Sequence, residues 1–310
     1  MGAGLLMHRS RALAKAPQPA TRVSFNVPAG ACDCHTHIFG DPARFPFWSG
    51  RMYTPEPASI AEMRTLHRAL YMDRVVIVHP SVYGTDNACT LDAIRQLAPR
   101  ARGVAVIDDK TTDAQLDEMH RGGIRGIRLN LETLGVTDPP AARQRFQIAS
   151  RRLSGRPWHV QLYTRLSVIQ GIQDLVATSP IPVVFDHFGL AQASSGVEQP
   201  GFAALVELVR RGKAYVKISG AYRASTKAPD YGDATPLAQA LIAANAQRIL
   251  WGTDWPHPPG VPASGGKATD VVAPLQIDDG RLLNQLPVWA PDAAVRKTIL
   301  VDNPARLYGF

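Results

Sequence analysis

Short runs of aliphatic and β-branched residues recur along the chain, separated by longer stretches in which apolar residues return every three or four positions. The short runs predict strands over 31–39, 74–79, 102–108, 124–130, 157–163, 181–186, 214–219 and 248–254. The longer stretches predict helices over 59–70, 87–97, 112–121, 140–153, 167–178, 202–211 and 236–245, with further helical segments near 282–286 and 293–300. Thr112 stands where a helix N-cap belongs, and Pro140 and Pro236 suit a first helical turn. Regular alternation of strand and helix marks βαβ units on a parallel sheet. Eight strands favour an α/β fold closed into a (β/α)8 TIM barrel over a doubly wound sheet, and no glycine-rich nucleotide-binding turn argues otherwise.

The chain has 310 residues, 45% hydrophobic and 19% charged, a composition that suits one large globular domain over residues 25–310. Residues 1–24 are basic and rich in alanine and proline, with no convincing apolar core for a secretory signal, and read as a flexible tail. No apolar run approaches the roughly 20 residues of a membrane-spanning helix. Cys32, Cys34 and Cys89 are three, and Cys32-Asp33-Cys34 lies inside an apparent strand where neighbouring side chains alternate faces, so no disulfide framework is expected and a reducing cytoplasm is. The net charge of +8 is scattered, with no basic run interleaved with aromatics. That excludes nucleic acid as the expected partner and fits a small anionic substrate drawn to a cleft. The sequence says nothing about oligomeric state.

Barrel enzymes keep their chemistry at the C-terminal ends of the strands, where this chain places its unusual polar residues: His35 and His37, His79 and Ser81, Arg128, Tyr163, Asp186 and His187, Ser219 and Arg223, Asp254 and His257. His35 and His37 are two apart on a strand and should project to one face, with Asp33 at the same spacing. Such a pair serves either as two ligands of a zinc ion or as a metal-free device that polarises a carbonyl. Asp254, beside the indole of Trp255, is suited to take a proton from water. His187 is placed to join the first two histidines, whereas Asp186 reads as a cap or an orienting group.

Asp33-Cys-His-Thr-His37, Asp186-His-Phe-Gly189 and Trp251-Gly-Thr-Asp-Trp-Pro-His257, in that order, resemble the amidohydrolase superfamily. The resemblance is to its amidohydrolase-related family 2, the branch of 2-pyrone-4,6-dicarboxylate hydrolases and sugar lactonases, and runs from about residue 28 to the C-terminus. It implies a lactonase that opens a small carboxylated ring, a pyrone carboxylate or a sugar lactone. Asp254 would activate water, and His35, His37 and His187 would polarise the carbonyl. Tyr53, Ser81, Arg128, Tyr163, Arg223 and His257 would hold the substrate, the arginines by their planar fork of donors. The resemblance is incomplete: Leu134 and Leu190 stand where the dicarboxylate hydrolases carry basic residues, and His257 where they carry an amide.

The dinuclear members of the superfamily this chain resembles carry a lysine or glutamate on the fourth strand, which residues 124–130 do not offer, and His159 lies too near its strand's start to face the mouth. The expectation is therefore no cofactor, with a mononuclear zinc on His35, His37, His187 and Asp254 as the alternative. Two other functional readings stay open: a zinc-dependent amidohydrolase or decarboxylase on the same barrel, and a non-catalytic anion-binding barrel.

Overall fold

The computed structural model describes residues 16–260 and 265–310. Eight parallel strands, Cys32–Thr36, Arg74–Val78, Ala101–Ala105, Ile124–Asn130, His159–Tyr163, Val183–Phe185, Ala214–Lys217 and Ile249–Leu250, pair in sequence order. Backbone bonds from Cys34 N to Trp251 O (3.0 Å), Asp254 N to His35 O (2.8 Å) and His37 N to Trp255 O (2.8 Å) join the first and last strands. The sheet is thereby a barrel, with helices such as Ile60–Leu70, Ala88–Leu97, Pro139–Arg152 and Thr235–Asn245 packed around it. Thr112 caps its helix as expected, in a capping box with Gln115. No helix among the described residues is long and apolar enough to cross a membrane.

The barrel interior is layered. At the bottom, Cys32, Cys34, Val76, Val78, Val104, Val184, Tyr215 and Leu250 pack round Tyr308, which the last helix, Asn303–Tyr308, inserts as a plug. All three cysteines are buried and free. His159 belongs to this end, its ring edge-on to Tyr308 at 5.3 Å, so its place at the strand's start does keep it from the mouth. Its imidazole lies so close over Gly126 that a Cβ there would come within 2.4 Å of it. Above this layer the interior turns polar.

The strand over 124–130 has the predicted bounds, and the other seven are shorter than predicted, most of all the last. After Leu250 the backbone leaves regular pairing to follow the first strand: Gly252 comes so near that a Cβ would lie 2.7 Å from His35 N. Thr253 gives its N–H and hydroxyl to Asp33 (3.0 and 2.7 Å), and Asp254 takes a left-handed φ of 68°. The pairing of the first strand also slips between Asp33 and Thr36, and this bulge corrects the expectation that Asp33 shares a face with His35 and His37. Asp33 points outward, to His67 on the helix Ile60–Leu70 at 3.2 Å, while both histidines point in.

Of the segment expected as a loose tail, residues 1–15 lie outside the described residues. Residues 16–24 lie along the barrel. Thr21 gives its N–H and hydroxyl to Asp278 (3.0 and 2.6 Å), Ser24 bonds Asn284, and Pro17 O accepts from Trp255 Nε1 at 2.9 Å. The segment thus satisfies the buried indole next to Asp254. A two-residue pairing of Thr54–Pro55 with Val271–Val272, too short to leave a pattern, ties the first long loop to the last.

Burial holds the His79 imidazole down at about 4 and that of His159 at about 3, against an ordinary 6.5. Unfolded, each would bind a proton first as pH falls, so stability is lost between about 6.5 and those values, by ~3 kcal/mol for His79. The unfolding midpoint is expected to drop steadily between about pH 7 and about pH 4.5. His159→Leu should flatten part of that drop and keep turnover; an unchanged slope, or loss of turnover, contradicts the structural role.

Candidate active site

The polar middle of the barrel is organised by two carboxylates, each fully buried. Asp186, just past the sixth strand, receives Arg128 Nε (3.2 Å) and Gln161 Nε2 (3.0 Å) on one oxygen and has Lys217 Nζ 3.4 Å from the other. Lys217 also donates to Gln161 Oε1 at 2.7 Å and lies 3.4 Å from His35 Nδ1. Burial pushes the Asp186 carboxyl up, but His35, Lys217 and Arg128 outweigh it and hold it well below the carboxylate range. Burial in turn pushes the Lys217 ammonium down, with Asp186 opposing.

Asp254, at the end of the last strand, has one oxygen engaged and one free. Oδ2 accepts from Tyr222 Oη (2.7 Å) and Arg223 Nε (2.6 Å). Oδ1 has no hydrogen-bond partner, yet His37 Nε2, His35 Nε2 and His187 Nε2 stand 3.3, 3.5 and 3.8 Å from it. Burial raises the Asp254 carboxyl, and Arg223 together with the surrounding imidazoles brings it well below its usual range. Burial lowers His35 well below 6.5 and His187 to about 4, in each case against the pull of a neighbouring aspartate. The φ of 68° at Asp254 and 49° at His187 put two non-glycine residues of the site in left-handed backbone, the kind of local strain that clusters at functional sites.

A cavity of about 270 Å³ opens over this floor. His37, Tyr53, Ser81, Arg128, Tyr163, His187, Arg223 and Asp254 all line it, although they come from eight separate places along the chain. His35 lies beneath, touching the reacting region through its neighbours rather than the wall. His257 is not brought to the cavity: it is wholly buried, with Nε2 2.9 Å from Asp279 and Nδ1 3.3 Å from Tyr222 Oη. It supports Tyr222, which holds Asp254, and is better understood as a positioning residue than as a group that meets substrate.

Two members escaped the sequence reading. Lys217 was the more visible, a charge inside the otherwise apolar strand Ala-Tyr-Val-Lys217. Tyr222 stood unnoticed beside Arg223. Asp186, expected as a cap or an orienting group, lies 3.3 Å from His35 Nδ1 and also anchors Arg128 and Lys217. Ligand atoms of His35, His37 and Asp254 lie within 4.8 Å of one another, as do those of His35, Asp186 and His187. The first set, with His35 Nε2 and Asp254 Oδ1 both unpartnered, suits a zinc ion by its donor chemistry.

An eight-stranded barrel whose mouth gathers three histidines and a last-strand aspartate beneath one cavity defines an enzyme of the (β/α)8 class with a histidine–aspartate centre. The chain belongs to the amidohydrolase family, whose model matches residues 32–310. It is 35% identical over 291 residues to 4-sulfomuconolactone hydrolase of Rhizobium radiobacter, covering 93% of this chain and 92% of that protein. It is 33% identical over 297 residues to 2-pyrone-4,6-dicarboxylate hydrolase of Comamonas testosteroni, with 93% of each covered. A crystal structure from Agrobacterium tumefaciens, in apo form, superposes with a TM-score of 0.77 at 26% identity, over 94% of this chain and 98% of that one.

Lys217→Met leaves Asp186 with less cationic compensation in the dry interior, a change expected to cost about 3–5 kcal/mol of stability. The double variant Lys217→Met with Asp186→Asn should recover most of that stability in denaturant titrations but not turnover. If the single variant is as stable as the parent, the two groups are not an interdependent pair.

Proposed function

We propose that this protein hydrolyses the cyclic ester of a small carboxylated lactone, with Asp254 as the base that activates water. The observation that carries the reading is the free Oδ1 of Asp254 at the cavity floor, ringed by three imidazoles, while its other oxygen is fixed by Tyr222 and Arg223. The lactone hydrolases among the relatives support the same reaction class.

In this mechanism Asp254 Oδ1 takes a proton from water as the hydroxide oxygen bonds to the lactone carbonyl carbon. Negative charge gathers on the carbonyl oxygen and needs donors in place beforehand. His187 Nδ1 has two neighbours, Ser219 Oγ at 2.9 Å and Ser219 O at 3.3 Å; when the nearer hydroxyl donates to it, Nε2–H of that ring faces the cavity. Lys217 can do the same for His35 through Nδ1. When the intermediate collapses, the ring C–O bond breaks and the leaving oxygen takes the proton back from Asp254. Arg128 and Arg223 hold the substrate's acid group, and Tyr53, Ser81 and Tyr163 offer hydroxyl donors to its oxygens.

One observation favours a second reading, in which a mononuclear zinc assists. His37 Nδ1 lies 2.8 Å from Val78 O, which can only accept, so Nδ1 carries the proton and a neutral ring turns the lone pair of Nε2 toward Asp254 Oδ1. Two acceptors facing at 3.3 Å call for a cation or a proton between them. Zinc held by His35, His37 and Asp254 would supply carbonyl polarisation and a more acidic water.

Asp254→Asn is expected to lower kcat by about 10²–10⁴ while leaving the affinity for an unreactive lactone analogue nearly intact; retained turnover removes Asp254 from the role of base. Elemental analysis before and after exhaustive chelation separates the two readings: activity that survives with no bound metal discards zinc, and activity lost and restored by zinc alone establishes it.

A further inference from the structure

The catalytic cavity does not end at the reacting groups. A second cavity of about 620 Å³ shares Ser81, Arg128 and Asn130 with it, and so opens beside the place where the substrate's acid group would be held. Its size falls in the roughly 300–1,000 Å³ range of small-molecule sites. Its walls are aliphatic and aromatic: Val106, Ile107, Leu129, Leu131, Leu134 and Trp48.

The rim is apolar too. Trp48 and Leu134 are 48% and 54% exposed, and Met52, on the adjoining lip of the catalytic cavity, is 49% exposed. Single exposed apolar residues are ordinary, but three gathered round one opening form the kind of patch that marks a ligand groove. Trp48, Met52, Leu134 and Ser81 also line a third cavity of about 260 Å³ that shares residues with both of the others.

The charges point the same way. In the catalytic cavity and its floor Arg128, Arg223 and Lys217 face Asp186 and Asp254, which leaves one cation in excess and so matches one acid group on the substrate. The Glu132 carboxylate at the mouth is already paired with Arg165. In the side cavity a second carboxylate would meet Asp86 and Asp108 as well as Arg145. His79, held by Gly84 O and Thr90 Oγ1, offers no charge there at neutral pH, because burial keeps its imidazole down at about 4.

We propose that the substrate is a lactone with a single carboxylate and an uncharged apolar arm, alkyl or aryl, and that the arm occupies this side cavity. The proposal rests on the lactone-hydrolase reading and adds a substrate class to it. Continuity with the catalytic cavity through Ser81, Arg128 and Asn130 makes the occupant part of the same molecule rather than a separate ligand.

The test uses three lactones on one ring: a plain monocarboxylate, the same ring with a phenylalkyl arm, and a dicarboxylate. The armed monoacid is expected to exceed the other two in kcat/KM by about tenfold or more, the scale on which a hydrophobic pocket discriminates. Val106→Trp, which fills the side cavity away from Asp254 and the histidines, should erase that preference through KM while the plain monoacid is turned over as before. Leu134→Asp, at the exposed rim where folding is not at stake, should weaken the armed substrate in the same direction. Equal rates for armed and plain lactones, a preference for the dicarboxylate, or variants that slow all three alike overturn the proposal and leave lactone hydrolysis standing. Failure to turn over any of the three overturns lactone hydrolysis itself, and the substrate class with it.

Discussion

Two carboxylates in the dry middle of a barrel set the terms for everything around them. A buried carboxylate without compensation is among the most costly groups a fold can contain, so Asp186 and Asp254 each need cations and hydrogen-bond donors at close range. Asp186 is met by Arg128, Lys217 and Gln161, which come from the fourth, seventh and fifth strands. Asp254 is met by Arg223 and Tyr222 from the short helix Ala221–Ala224 that follows the seventh. Satisfying these two groups therefore fixes most strands of the barrel relative to one another at the level where the cavity begins. The same contacts that make the charges tolerable also orient the imidazoles, because His35 stands between the two carboxylates.

This coupling explains which parts of the site could be read from the chain. His35, His37, His187 and Asp254 announce themselves because histidines at strand spacing and an aspartate before Trp255-Pro256 are hard to justify as packing. The barrel was legible for a similar reason: alternation of short aliphatic runs with helical stretches leaves few other architectures open. What stayed hidden depends on contacts between strands that no local pattern encodes. Lys217 looks anomalous in its strand, but only the proximity of Asp186 and Gln161 gives the anomaly a purpose. Asp33 has the right spacing for the inner face, and a bulge in the pairing turns it outward to His67 and Thr253 instead. His257 follows the aspartate so closely in sequence that it was expected at the cavity, yet the left-handed turn at Asp254 and His257 sends its ring down to Asp279. Residues 16–24, whose composition suggests a tail, become ordered because Asp278, Asn284 and the indole of Trp255 supply and demand hydrogen bonds along their path.

The asymmetry of Asp254 bears most directly on function. A carboxylate bound at both oxygens would be a structural anchor, and one free at both would be poorly oriented. Here Oδ2 is immobilised, so Oδ1 must point at the imidazole cluster, and burial denies it bulk water as a partner. The low affinity of this carboxylate for protons at rest means that it is ionised throughout the neutral range and is always ready to receive one. In the proposed mechanism, receiving it becomes favourable when water bonds to an electrophile whose developing charge the neighbouring rings meet. Protonation of Asp254 and charge on the carbonyl oxygen would then arise together, so that the interior would not carry the second without the first.

The facing lone pairs of His37 and Asp254 extend this reasoning one step. The hydrogen bond to Val78 fixes the protonated nitrogen of His37, so the ring cannot relieve the contact by switching tautomer. Whatever occupies the space between these acceptors must bring positive charge or hydrogen-bond donors, and only three candidates have that chemistry: a proton shared by the pair, a metal ion, or the water that is to react. Under the proposed function, all three would put the electrophilic or nucleophilic partner of the reaction at one point, beneath the cavity and beside His35 and His187. The position proposed for the chemistry thus rests on the hydrogen-bonding limits of two side chains, whichever of the three fills it.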